Sequence, residues 1–217
     1  MRSVRFYTPP TLVQDFEEVL TTDIATEVIK NFNPKDKERV IFYKVKNRSK
    51  FDNSDNNSWV RFSLSSDLKK GDYLSDDTYN YLITWTPYDK DLNAKEAQVQ
   101  ICNAQFTFQR WQDQKIDKIG KIISPAQNIN VASNIWSVVW RLGYYDYKAK
   151  AGGVGIIPTN GVQILIQYNQ ITEQIKISDT FYWKNILYEV VDFDYTQLNP
   201  DNETGILVLY ASKKVRD

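Results

Sequence analysis

Two stretches of this chain, 107 residues apart, share one rhythm. "GDYLSDDTYNYLITWTPYD" occupies residues 71–89 and "ISDTFYWKNILYEVVDFDY" residues 177–195. Aligned without a gap, Asp72 meets Asp179, Tyr81 meets Tyr188, Ile83 meets Val190 and Tyr88 meets Tyr195. Each stretch reads as two strands joined by a tight turn, near Asp77-Thr78 in the first and Lys184-Asn185 in the second. A longer loop and a third strand follow each. At the same offset Glu96 falls on Glu203, and Val99–Ile101 on Ile206–Val208. A unit written twice at this length predicts two like modules, and strands at this spacing predict a small sandwich or barrel.

The remaining periodicity fits that frame. Residues 38–50 alternate Ile41, Tyr43 and Val45 with Lys44, Lys46 and Arg48, as in a strand with one wet face. Residues 59–65 and 96–111 alternate in the same way, and Trp136, Val138 and Trp140 share one face of a later strand. Helical spacing occurs once, over residues 11–32, where Leu12, Phe16, Val19, Leu20, Ile24, Val28 and Phe32 form a stripe. Thr11 with Gln14 would cap it, and Pro34 would end it. The fold class expected is mainly β: two small antiparallel β-barrel or sandwich modules with an N-terminal helical segment. The expected divisions are a helical segment over 1–34, a first β module over 35–111, a connector over 112–134 and a second β module over 135–217. The connector is assigned because it is polar and aperiodic, with Gly120 and Pro125 opposing a long helix.

Composition limits the chemistry. Lys and Arg number 27, Asp and Glu number 27, and histidine is absent. Tight binding to nucleic acid needs a basic excess, because phosphate neutralisation supplies most of its affinity. Without histidine the commonest base near neutral pH is missing, as is every Ser-His or Cys-His nucleophile pair. Carboxylate pairs for glycoside hydrolysis would come from Asp72, Asp76 and Asp77, or from Glu189, Asp192 and Asp194. These sit where turns are expected, and Asp is favoured in turns for its hydrogen bonds to backbone. Cys102 lies inside a strand pattern and reads as a buried, inert thiol. The basic run Arg39, Lys44, Lys46, Arg48 and Lys50 reads as the solvated face of a strand rather than a single-strand groove. No enzyme activity, metal or cofactor is expected. The N-terminus lacks the apolar core of a signal peptide and no run approaches a membrane span, so no membrane association is expected.

Two groups of residues are candidates for contact between subunits. One is the loop 151–161, "AGGVGIIPTNG", where Gly152, Gly153 and Gly155 supply freedom and Ile156 and Ile157 supply apolar anchors that order on a partner. It lacks the Gly-Lys-Ser/Thr ending of a phosphate-binding loop. The other is aromatic: Tyr144, Tyr145, Tyr147 and Trp183, suited to an intersubunit seam, to a core, or to stacking on sugar.

Gly71, Asp72, Tyr81, Leu82, Ile83, Thr84, Cys102, Asn103 and Trp111 together resemble a pattern found in structural proteins of tailed-bacteriophage virions. The stretch Val162–Lys214, with "ILIQYNQITEQIKISDTF" and "GILVLYASKK", is similar to a second module of those proteins. The resemblance covers somewhat over half the chain, in short motifs. It implies a component of the neck (head-tail connector, head closure), built as a ring of copies between portal and tail. Implied partners are copies of itself, portal or adaptor proteins and tail proteins, with genomic DNA only passing through the lumen. It implies a place in the virion, after assembly in the host bacterial cytoplasm. It carries no catalytic residues. The alternative is a carbohydrate-binding module of the tail or baseplate, which would need an exposed aromatic platform.

Overall fold

A computed structural model describes residues 25–43, 57–85, 87–91, 94–141, 161–201 and 203–214. The first strands are β1 (Thr26–Lys30), β2 (Lys37–Tyr43), β3 (Asn57–Phe62), β4 (Tyr73–Ser75), β5 (Asn80–Ile83), β6 (Tyr88–Asp91) and β7 (Ala94–Ile101). Then follow β8 (Ala104–Gln112), β9 (Lys115–Ile116), β10 (Ile122–Ser124), β11 (Gln127–Arg141), β12 (Val162–Gln167), β13 (Thr180–Trp183), β14 (Ile186–Asp194) and β15 (Ile206–Lys213). A single 3-10 turn among the described residues spans Thr172–Gln174. Among the described residues there is no α-helix.

The strands close into two six-stranded antiparallel barrels. The first runs β1-β2-β3-β7-β5-β4 and back to β1, with β6 added beside β7. The second runs β8-β11-β12-β15-β14-β13 and back to β8. The two circuits follow the same path, strand for strand, so the doubled phrase is part of a doubled barrel. The hydrogen bonds repeat with it. Gly71 and Ser178 donate to Ile83 O and Val190 O at 2.8 and 2.9 Å. Asp72 and Asp179 each accept, through Oδ2, from the backbone N–H of Lys69 and Lys176. Both turns lie where the sequence puts them. In the second, Lys184 and Asn185 take φ of 50° and 62°, the conformation a two-residue hairpin needs.

The third strand of the repeat departs from the gapless alignment. Tyr81 pairs with Ile101, and its counterpart Tyr188 pairs with Lys213. The offset there is 112, because the preceding connection is five residues longer in the second barrel. Val99 therefore corresponds to Ala211, not to Ile206.

Each barrel is filled by its inward rows. Val28, Val40, Val60, Phe62, Leu74, Ile83, Ala97 and Val99 fill the first. In the second, Phe106, Phe108 and Phe181 bring their ring centroids within 4.7 to 6.0 Å of one another, and Tyr188 stacks on Phe181 at 5.7 Å. Each such ring removes roughly 150–250 Å² from water, and they pack among the aliphatic rows of Val162, Ile164, Ile166, Leu207 and Leu209.

Two expectations are corrected. Residues 26–30 form β1, not the end of a helix. Ile24, Val28 and Phe32 are spaced by four, and a spacing of four satisfies both a helical stripe and strand alternation. β-branched Thr26, Val28 and Ile29 favour the strand, and Asn31 and Phe32, with φ of 47° and 59°, stop it. The rest of the expected helix lies outside the described residues. Residues 112–134 do not link the halves either. They hold the end of β8, the β9–β10 hairpin and the start of β11, all beyond the changeover at Cys102-Asn103.

Candidate functional site

The changeover builds a third, smaller core between the barrels. Tyr73, Leu82 and Cys102 from the first meet Val138, Leu165, Ile206 and Val208 from the second, flanked by Trp136, Trp140 and Tyr210. The face shared by Trp136, Val138 and Trp140 thus packs on the neighbouring barrel. Burial pushes the Cys102 thiol up to about 12, so it is a neutral apolar filler here.

Polar groups fix the register of this seam. The Tyr73 hydroxyl donates to Trp136 O and accepts from the Gln167 N–H at 3.2 Å. Asn103, at the chain crossing, donates from Nδ2 to Val139 O at 3.0 Å and accepts from the Val139 N–H at 2.8 Å. Asn199 Nδ2 donates to Lys70 O at 3.0 Å. The backbones meet at two glycines: a Cβ on Gly71, whose φ is +94°, would lie 2.0 Å from Gly205 O. Apolar packing, paired buried polar groups and touching backbone make the two barrels one stiff body.

The second barrel also carries an arm. β8 and β11 pair out to Gln112 and Gln127, and β9 and β10 continue the hairpin. Its tip is braced by Asp117, whose Oδ1 accepts from the Ile119 and Lys121 N–H groups at 2.9 and 2.8 Å. Gly120, at φ +83°, completes the turn. Along it Ile116, Ile119, Ile122 and Ile123 stand 50, 92, 56 and 68% exposed. Sequence reading passed over this arm, although an Asp-x-x-Gly tip flanked by isoleucines was a visible signal.

Of the residues expected to make contacts between subunits, the structure describes Trp183. Trp183 packs half-buried against the second core, with Tyr188 at 6.0 Å. Its ring already lies near two cations, Arg141 at 5.7 Å and Lys184 at 4.9 Å. A sugar would compete with both for the ring face. Tyr144, Tyr145, Tyr147, Gly152, Gly153, Gly155, Ile156 and Ile157 lie outside the described residues.

The carboxylates are engaged locally. Asp76 Oδ1 accepts from the Thr78 and Tyr79 N–H groups and Oδ2 from the Tyr81 hydroxyl. Asp192 accepts from Phe193 N–H and Asp194 from Thr196 N–H. Glu189 faces Lys214 at 3.6 Å. Fully buried Asp179 is held by Arg110 through two bonds of 2.7 and 2.8 Å, and Lys30 plays the looser counterpart to Asp72 at 3.8 Å. Of the basic run, Arg39 is exposed on β2, and the four residues from Lys44 on lie outside the described residues.

Residues 145–212 match the family model described as the YomX C-terminal domain, a phage-type domain. The match points to a phage protein. It takes in β12 to β15 and leaves out β8 and β11, so the matched stretch alone cannot close the second barrel. No curated protein and no solved structure matches the chain. Among the described residues no helix is long and apolar enough to cross a membrane.

Proposed function

We propose that this chain is a structural component of a tailed-phage virion, several copies of which form a ring in the neck that joins the portal end of the head to the tail. The observation that carries this reading is the seam. Two copies of one barrel, stiffly fused, make a strut that transmits force and holds geometry, which is what a connector between two large assemblies requires. The similarity of its last third to a phage-type domain supports the same setting. Its charge balance of 27 against 27 suits a lumen through which DNA moves, because a basic wall would grip phosphates and slow passage. In this reading the partners are further copies of the chain, the portal or adaptor proteins and the tail proteins, and the role involves no catalysis. The ring uses head-to-tail contacts closed by rotation.

The test is a phage carrying a stop codon early in this gene, with lysates viewed by electron microscopy. Filled heads and complete tails lying unjoined are the expected result, with joining restored when purified protein is added. Normal joined particles that merely fail to adsorb would overturn the neck assignment in favour of a host-recognition role.

A further inference from the structure

Of the twelve large exposed hydrophobic side chains among the described residues, five fall between Trp111 and Ile123. Soluble surfaces scatter such residues singly, so this concentration on one projecting hairpin calls for a cover. Covering Trp111 and the four isoleucines would remove about 600 Å² from water, near the roughly 800 Å² each side contributes to a standard protein interface. The tip is already folded, by the Asp117 bonds and the Gly120 turn, so docking would cost little ordering.

The charges indicate what covers it. Lys115, Lys118 and Lys121 against Asp113 and Asp117 leave the arm one positive charge. The far barrel offers the opposite. Around the exposed ring of Tyr79, the charges of Glu27, Asp76 and Asp77 against Lys37 and Arg39 leave one negative. Opposed charge around apolar centres selects and orients a partner. We infer that the β9–β10 arm of one copy docks on the β4–β5 turn of the first barrel of a second copy of this chain. Arm and receiver sit on different barrels, so every copy keeps one of each free for the next, as a ring needs. The inference rests on the ring reading above and names its contact.

Cys102 is buried, which leaves an introduced cysteine as the reactive thiol. Full-length Ile119→Cys and Asp77→Cys proteins are mixed, oxidised mildly with diamide and run on non-reducing gels. A heterodimer from the mixture is expected, and a ladder of multimers from the double variant. Lys118→Glu with Lys121→Glu should weaken association at least tenfold, and Asp77→Lys should recover part of the loss. Linkage only between two Ile119→Cys chains would mean arm meets arm and would overturn the inference. A thiol at 119 shielded from maleimide in a monomer would mean the chain covers its own arm, and would overturn it too. Absence of any link in a protein that still assembles by mass would remove the arm contact and leave the ring reading standing. A wild-type chain that stays monomeric at assembly concentrations, with no link, would remove both.

Discussion

Replacing Gly71 with alanine should damage the seam more than any effect on its own turn explains. Two costs arise. The first is the positive φ of +94°, where a side chain costs roughly 1–2 kcal/mol. The second is collision: the new Cβ would lie 2.0 Å from Gly205 O, 2.4 Å from its carbonyl carbon and 2.8 Å from its Cα. All three are backbone atoms, so no rotamer can clear them. Forcing the barrels apart by about 1 Å across a packed face adds about 1–3 kcal/mol by the scale of overpacked cores. The total is about 2–5 kcal/mol. Two positions separate these costs. Gly120 has φ +83° and nothing within 4 Å of an added Cβ, so Gly120→Ala carries only the first cost. Ser178, the counterpart of Gly71 in the second barrel, already holds φ 73° with a side chain, so the turn itself tolerates one. Urea unfolding of Gly71→Ala and Gly120→Ala, followed by tryptophan fluorescence, gives the comparison directly, since Trp136 and Trp140 flank the seam. Destabilisation of the Gly71 variant by at least 1 kcal/mol more than the Gly120 variant is expected. Equal midpoints would refute the collision argument, and with it the claim that the two backbones touch.

Tyr73→Phe strips the hydroxyl that bridges Trp136 O and the Gln167 N–H. It leaves both groups unpaired in the seam, and should cost about 1–3 kcal/mol in urea, against under 0.5 for an exposed tyrosine such as Tyr182. Arg110→Ala leaves the fully buried Asp179 carboxylate without its cation and should cost about 3–5 kcal/mol; Lys30→Ala, beside the less buried Asp72, should cost clearly less. Equal losses would mean that the two ion pairs are not ranked by burial. Stability should also fall in alkali. Burial, first of all, holds Tyr73, Tyr81 and Cys102 protonated in the folded chain above the ordinary 10.0 and 9.0 of phenol and thiol. The unfolded chain then loses these protons first, so their contribution is whole below about pH 9 and declines as pH rises beyond it. Denaturant midpoints that stay flat from pH 8 to 11 would contradict this, as would a native Cys102 that reacts freely with a thiol reagent at pH 8.

What could be read from the sequence was whatever local chemistry decides. The turns at Asp77-Thr78 and Lys184-Asn185, the alternation in β2 and β7, and the common face of Trp136, Val138 and Trp140 follow from residues a few positions apart. Barrel closure does not, because β3 meets β7 and β8 meets β13 across long separations that no periodicity records. β1 was lost to a spacing of four that suits both helix and strand. The offset of 107 broke at the third strand because a five-residue lengthening of a loop leaves no trace in an amphipathic pattern. The assembly site was sought in aromatic and glycine-rich stretches. Of the residues named there, the structure places only Trp183, packed on its own barrel, while the isoleucines of the arm looked like polar linker because aspartate, lysine and glycine separate them.

The doubling also carries its own stop signal. The contact between the barrels is made by Tyr73, Leu82 and Cys102 on one side. Their counterparts in the second barrel are Thr180, Glu189 and Lys214; Lys214 and Cys102 even share the same backbone bond, to Leu187 O and Asn80 O. A third barrel stacked by this contact would have to sink the Glu189–Lys214 ion pair into an oily face, at a cost of several kcal/mol. Stacking by this contact is thereby disfavoured beyond two barrels.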